Sequence, residues 1–382
     1  MTKIVVLGAG LVGSLMARDL AEDGRFEVTA VDRSEAALGM LAGLPRLNTE
    51  QTDLASAADI TRAVSSADVV VGAVPGFLGA AMLRTVIAAR KPIADISFAP
   101  EDPFLLDAEA KSAGVCAIVD CGVSPGLSNL AAGRAASLFQ ETDTIRILVG
   151  GLPFRRVWPY EYRIVFSATD VIEEYTRPAR LIENGVVVTR PALSEVETFD
   201  FPIVGTLEGF LSDGMRTVLT TVRARRMEEK TLRYPGHAEK MRLLRETGFF
   251  GETPITVDGV TLKPRALTEK LLFSAWKLPQ GEEEFTLLQV TCHGTEDGRR
   301  VVRTYDLFDR TDPKTGATSM ARTTGFPCTI AARLLADRTF LTPGIHPPEN
   351  LGKEPRLFDA FRSGLALKGI QLSEKCEPVS EA

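Results

Sequence analysis

At 382 residues the chain is too long for one core of ordinary size, so two domains are expected. Its 45% hydrophobic and 25% charged residues exclude a disordered polymer, and a net charge of −6 excludes a global basic field for nucleic acid or an anionic membrane. No apolar run approaches the ~20 residues that span a bilayer. The five cysteines lack Cys-x-x-Cys spacing, which points to a reducing cytoplasm with neither disulfide framework nor structural zinc.

Taken in chain order, Ile4 to Leu7 is a β-branched apolar run suited to a buried parallel strand. The stretch runs from Lys3 to Leu7 straight into a glycine turn, so it is not expected to be a signal peptide. Leu11, Val12, Leu15, Met16 and Leu20 follow at helical spacing. Further strands are expected at Phe26 to Val31, Leu47 to Leu54, Val69 to Val74, Ile93 to Ile96 and Val115 to Val119. Helices are expected at Leu78 to Arg90 and Phe104 to Ala113. This alternation gives an α/β fold with a doubly wound parallel Rossmann sheet over residues 1–123. After Gly126 the pattern changes. Asn184-Gly185 and Asp297-Gly298 are two-residue turn signals between β-rich runs, so 124–325 reads as an α+β domain with a mostly antiparallel sheet. Helices are expected there at His237 to Thr247 and Arg265 to Phe273. Pro327 suits the first turn of a later helix, and the last ten residues should fray.

Gly8-Ala9-Gly10-Leu11-Val12-Gly13 fits G-x-G-x-x-G between a strand and a helix, the context that makes this pattern a dinucleotide fingerprint. Asp32, 19 residues beyond Gly13, ends the second strand, where a carboxylate accepts the adenosine ribose hydroxyls and repels a 2′-phosphate. That favours NAD, although the adjacent Arg33 offers a guanidinium to such a phosphate. Ligands bind beyond the carboxyl ends of the strands, which selects Ala73-Val74-Pro75, Asp95-Ile96-Ser97 and Asp120-Cys121-Gly122. Asp53 is placed at the adenine edge, with a solvated loop acid as the alternative.

The chain resembles the saccharopine dehydrogenase-like family, most closely its lysine 6-dehydrogenase branch. The resemblance rests on the glycine fingerprint, on Cys121-Gly122-Val123-Ser124-Pro125-Gly126-Leu127-Ser128-Asn129 and on Glu174-Tyr175-Thr176-Arg177-Pro178-Ala179. Ser194-Glu195-Val196-Glu197-Thr198, Arg233-Tyr234-Pro235-Gly236-His237-Ala238-Glu239-Lys240 and Met320-Ala321-Arg322-Thr323-Thr324-Gly325-Phe326-Pro327 complete it. It implies NAD-dependent deamination of the lysine ε-amine to 2-aminoadipate 6-semialdehyde, which cyclises to a piperideine carboxylate. It also implies C-terminal helices, about 326–372, returning to the Rossmann domain, and a homo-oligomer held by the second sheet. Saccharopine reductases carry an acid at the position of Ser124, so Ser124 leans towards the lysine branch. The alternatives are a saccharopine or carboxynorspermidine-type reductase, and a non-catalytic NAD-binding protein.

Such chemistry needs a neutral amine and a hold on the substrate carboxylate. His237, at a helix start, is a candidate base, with a capping histidine as the alternative. Asp120 is a candidate to orient the amine or take its proton, with an N-cap or turn acid as the alternative, and Tyr234 is a further candidate, with a packing tyrosine whose hydroxyl is satisfied as the alternative. Ser97, Ser124 and Tyr175 are candidate substrate contacts. Arg177 and Arg322 are guanidinium partners for a carboxylate, each with an ordinary ion pair as the alternative. Thr323 and Thr324 either touch substrate or cap the helix near Pro327. His293 and His346 lack ligand-spaced partners, so no metal is expected.

Overall fold

A computed structural model describes residues 1–379. The chain divides into two compact units, one comprising Met1–Leu138, Thr220–Val222 and Ala321–Leu372, the other Phe139–Leu219, Arg223–Met320 and the segment from Ser373.

The first unit opens with β1 (Thr2–Leu7), α1 (Leu11–Glu22), β2 (Phe26–Asp32), α2 (Glu35–Gly39), β3 (Leu47–Gln51), α3 (Ala57–Val64) and β4 (Val69–Gly72). Next come α4 (Gly76–Ala88), β5 (Ile93–Asp95), α5 (Asp107–Ala113), β6 (Cys116–Ile118) and α6 (Leu127–Leu138). Their strands pair in parallel, as apolar runs buried on both faces should. One face carries a core of Val70, Met82, Ile93 and Ala117 with the α3, α4 and α5 side chains.

In the second unit, β7 (Glu141–Pro153), α7 (Ala168–Thr176), β8 (Ala179–Glu183), β9 (Val186–Arg190), β10 (Glu197–Phe201) and β11 (Gly205–Leu211) lead to the short α8 (Val218–Thr221). Then follow β12 (Arg226–Arg233), α9 (His237–Glu246), β13 (Ile255–Val257), β14 (Val260–Leu262), α10 (Pro264–Trp276), β15 (Glu284–Glu296) and β16 (Arg299–Arg310). The last elements are α11 (Ser319–Ala336), β17 (Gly344–His346), α12 (Pro348–Gly352), α13 (Pro355–Leu367) and β18 (Leu372–Pro378). β17 joins the first sheet beside β6, giving the order β17-β6-β5-β4-β1-β2-β3.

The larger sheet runs β10-β11-β12-β7-β15-β16-β18, with β8 on β12 and β9 on β8. It is mixed, because β12 pairs with β7 in parallel while β7–β15, β15–β16, β11–β12 and β8–β9 are antiparallel. Asn184-Gly185 and Asp297-Gly298 make the expected hairpin turns, with positive φ at both residues of each pair.

Two expectations fail. Pro327 lies inside α11, which starts at Ser319 and not near Pro327. The cap of α11 is remote in sequence: the Glu284 carboxylate accepts the Ser319 and Met320 N–H groups. Thr323 and Thr324 are therefore helical residues, not caps. Residues 373–378 do not fray, because they belong to β18, where Glu374 accepts bonds from Arg303 and Tyr305 at 2.6 and 3.0 Å. The remainder of that expectation, residues 380–382, lies outside the described residues. Among the described residues no helix is long and apolar enough to cross a membrane.

Candidate active site

The glycine loop is fixed by packing. Gly8 has φ +108, and a Cβ there would stand 2.4 Å from the Ala73 carbonyl; at Gly13 it would stand 2.1 Å from the Gly8 carbonyl. At Gly10 a Cβ would meet nothing within 4 Å, so this stretch of backbone is open to a ligand. No side chain caps α1, and Leu11 beside it is exposed, so the first N–H groups of the helix are available to a pyrophosphate. Asp32 stands next to this cradle. Its carboxylate accepts the Ala9 N–H at 2.7 Å and the Ser34 N–H at 2.9 Å. Arg33 is exposed, and Asp53 is an exposed turn acid accepting the Ala55 N–H at 3.1 Å. These residues fit a pyridine dinucleotide.

Beyond β4, Ala73, Val74 and Pro75 lead into α4, whose start also has no side-chain cap. Asp95 at the end of β5 reaches over Gly72, where a Cβ would fall 2.1 Å from its Oδ1. Ser97 is buried and donates to that same oxygen at 2.8 Å. Burial, opposed by the Ser97 bonds and reinforced by the Asp120 charge, pushes the Asp95 carboxyl up to about 6. Asp120 is itself only 2% exposed, in a left-handed conformation with φ 52. The following loop folds back through Gly122 N–H to Pro125 O at 3.1 Å and Leu127 N–H to Gly122 O at 2.9 Å. Ser124 is half-buried, 2.9 Å from the Ser128 hydroxyl, which donates to the Asn129 side-chain oxygen at 2.8 Å. From α11, the Thr324 methyl would lie 3.2 Å from a Cβ on Gly122. Thr323 is fully buried.

In the second unit, His237 is 1% exposed among Tyr160, Tyr162, Tyr175 and Trp276. Its Nδ1 lies 2.9 Å from the Tyr160 carbonyl and its Nε2 2.9 Å from the Tyr175 hydroxyl. A carbonyl only accepts, so Nδ1 carries the proton and Nε2 accepts from Tyr175. Burial, with the Arg233 charge, drives the imidazole down to about 3. Both nitrogens are committed and the ring stays neutral. The Tyr234 hydroxyl is engaged as well: it donates to the Pro153 carbonyl at 2.9 Å and the residue is 5% exposed. Tyr175 is fully buried and spends its hydroxyl on His237.

Arg177 ends α7 in the extended conformation that the following proline imposes, with ψ 124, and lies 3.5 Å from Glu173. Arg322 donates to the Lys368 carbonyl at 3.0 Å and stacks on Phe326, which gives it a structural tie within the first unit. Sequence reasoning missed Arg233, 2% exposed, bonded to Glu174 and stacked 4.6 Å over Tyr162. It sits inside the quoted Arg233–Lys240 segment, next to Tyr234, and its position at the end of a polar-looking strand disguised it. Arg216 and Glu229, both buried, were missed too. Among the described residues no three His, Cys, Asp or Glu side chains are grouped to hold a metal.

Comparison with known proteins extends these observations. Residues 4–118 match the saccharopine dehydrogenase NADP binding domain, and residues 122–370 the saccharopine dehydrogenase C-terminal domain. The NADP(+), L-glutamate-forming saccharopine dehydrogenase of Schizosaccharomyces pombe is 24% identical over 454 residues, covering 98% of this chain and 99% of that protein. The mitochondrial alpha-aminoadipic semialdehyde synthase of Rattus norvegicus is 22% identical, covering 91% of this chain but 45% of its own length. The fold is similar to that of apo saccharopine dehydrogenase (L-Glu forming) from Saccharomyces cerevisiae, with TM-score 0.81, 20% identity, and 99% and 100% of the two chains covered.

Proposed function

This chain belongs to the saccharopine dehydrogenase family, and from that premise we propose that it is an NAD-dependent dehydrogenase that deaminates the ε-amine of L-lysine. The observation that carries the choice of substrate is Ser124. An uncharged, half-buried hydroxyl, bonded to Ser128, stands where, as the family resemblance implies, saccharopine reductases carry an acid. The choice of NAD is supported by Asp32, whose carboxylate is oriented by two N–H groups at the ribose end of the cradle.

The substrate enters as an ammonium of pKa ~10.4, so its deprotonation at neutral pH costs about 4–5 kcal/mol. A proton must leave the nitrogen, and then a hydride the ε-carbon that bears it, which gives the iminium; NAD, when bound, would supply the hydride acceptor. Gly10 and the α1 N-terminus would hold its pyrophosphate, and Ala73 to Pro75 would flank its ribose. With His237 and Tyr234 committed elsewhere, Asp120 is the proposed proton acceptor. The Asp95–Ser97 bond would fix the Ser97 hydroxyl beside it. Water then adds to the iminium, ammonium leaves, and the aldehyde cyclises.

The names of the relatives favour a second reading, an NADP-dependent enzyme joining or splitting saccharopine. Turnover separates the two. The purified protein is expected to form NADH from L-lysine alone, and faster than NADPH. Oxidation of saccharopine with NADP but not of lysine would replace the first reading by the second.

A further inference from the structure

In the first unit, the loop between β6 and α6 carries a chain of hydrogen bonds that runs inward from an open end. Backbone bonds hold this loop shut. The Gly122 N–H donates to the Pro125 carbonyl at 3.1 Å and the Ser128 N–H to the Val123 carbonyl at 3.0 Å. A Cβ on Gly126 would fall 1.8 Å from the Gly122 carbonyl. The Cys121 N–H donates to the Asp95 carbonyl at 2.9 Å, so the loop stands at the carboxyl ends of β5 and β6, the side of such sheets on which ligands bind. Ser124 is half-buried, while Ser128 and Asn129 behind it are fully buried.

Counting protons fixes the direction of the chain. Ser128 Oγ has one proton and two oxygens within reach, Asn129 Oδ1 at 2.8 Å and Ser124 Oγ at 2.9 Å. An amide oxygen only accepts, so the Ser128 proton goes to Asn129. The contact between the two hydroxyls then needs the proton of Ser124. Asn129 Nδ2 has no hydrogen-bond partner among the described residues, so the side chain is held through its oxygen. With its proton directed inward, Ser124 presents only lone pairs to its open side. Asp95 and Asp120, both buried at the same strand ends, are carboxylates. Ser124 thus adds an acceptor to an acidic place without adding a charge. An ammonium carries N–H donors alone and suits such a group, whereas a carboxylate would set lone pair against lone pair.

We propose that Asn129, acting through Ser128, fixes Ser124 as a hydrogen-bond acceptor towards the ligand, and that this polarity selects a primary amine there over a carboxylate. The proposal rests on the amino-acid dehydrogenase reading above and deepens it, but its test needs no turnover.

Calorimetry on the full chain saturated with NADH, which leaves no hydride acceptor, would compare three amino acids. L-lysine carries the ε-amine, L-norleucine lacks it, and L-2-aminoadipate has a carboxylate at that end. Wild type is expected to bind lysine about tenfold more tightly than norleucine, the contribution of one hydrogen bond to a charged group, and 2-aminoadipate more weakly than norleucine. Ser124→Ala should remove most of the lysine preference. Ser128→Ala should lower it about fivefold and also tighten 2-aminoadipate by about threefold or more, because the freed Ser124 proton turns outward. The double variant Ser124→Ala/Ser128→Ala should lose that gain. Asn129→Leu should behave as Ser128→Ala does, while Asn129→Asp, which has only oxygens to offer, should keep the wild-type order. A purely structural role would weaken all three ligands alike. Absence of a lysine preference in wild type, an order of ligands unmoved by Ser128→Ala, or loss of that order in Asn129→Asp overturns the proposal. Should Asn129→Asp not fold, Ser128→Ala with and without Ser124→Ala still decides. Lysine turnover with an unmoved order would remove the chain's role and keep the reaction. The predicted shifts without lysine turnover would remove the reaction and keep the role.

Discussion

Asp32→Ala removes one carboxylate from the end of β2, and with it two bonds that order the glycine loop, at 2.7 Å to Ala9 N–H and 2.9 Å to Ser34 N–H. The two effects pull cofactor affinities in different directions. A phosphate brought to ~4 Å from a carboxylate is repelled by ~1 kcal/mol in water and ~4 kcal/mol at an effective dielectric of 20. Asp32 is half-buried, so about 1.5–3 kcal/mol is expected, or ~10–100-fold in favour of NAD. Losing the loop bonds and the ribose contacts should weaken NAD by about tenfold, at ~1 kcal/mol or less per bond. The Ala variant should therefore bind NADH more weakly and NADPH more tightly, with a ratio near one. Fluorescence titration with both reduced cofactors measures this. Salt adds a check, because repulsion at a half-exposed charge is screened and the wild-type ratio should shrink as ionic strength rises. Equal affinities in wild type, or a ratio unchanged by the substitution, would refute the argument.

Other outcomes follow from buried groups. Burial pushes the Glu229 carboxyl up to about 8 from an unfolded value near 4.5, so its stabilising contribution is present below 4.5 and lost as pH rises through 8. Glu229→Gln should narrow the fall in Tm between pH 5 and 9, by an amount on the order of 4 kcal/mol at most; parallel Tm profiles for the two proteins would contradict this. His237→Gln should destabilise the fold by about 1–3 kcal/mol through the stranded Tyr175 hydroxyl, while the pH–rate profile keeps its shape. A lost limb in that profile would restore His237 as the base. Ser124→Asp should change the KM for lysine and leave NAD affinity alone; the opposite pattern, read by steady-state kinetics and titration, would move Ser124 to the phosphate side.

Local signals carried much of the fold. β1, β2 and β4 announce themselves as β-branched runs, and both Asx-Gly turns fall where the sequence puts them, because each depends on residues within a few positions. What the sequence hid depends on distant partners. α11 takes its cap from Glu284, and β17, three residues long, has no pattern of its own until β6 is beside it. β12 reads as a charged surface run, yet Glu229, Lys230 and Arg233 are buried because Ser212, Glu197 and Glu174 meet them. The dinucleotide cradle was legible for the same reason as the turns: Gly8 to Gly13 is contiguous. The choice among histidines, tyrosines and arginines was not, because residue type says nothing about whether a nitrogen or hydroxyl is already spent.

The most direct test is the fate of nitrogen. With [ε-15N]-L-lysine and NAD as the only substrates, the account predicts 15N-labelled ammonium in amounts equal to the NADH formed. The carbon product should be a cyclic imine that retains the unlabelled α-nitrogen. Release of unlabelled ammonium, or reaction only when a keto acid and NADPH are supplied, with the label ending in a secondary amine, would contradict it.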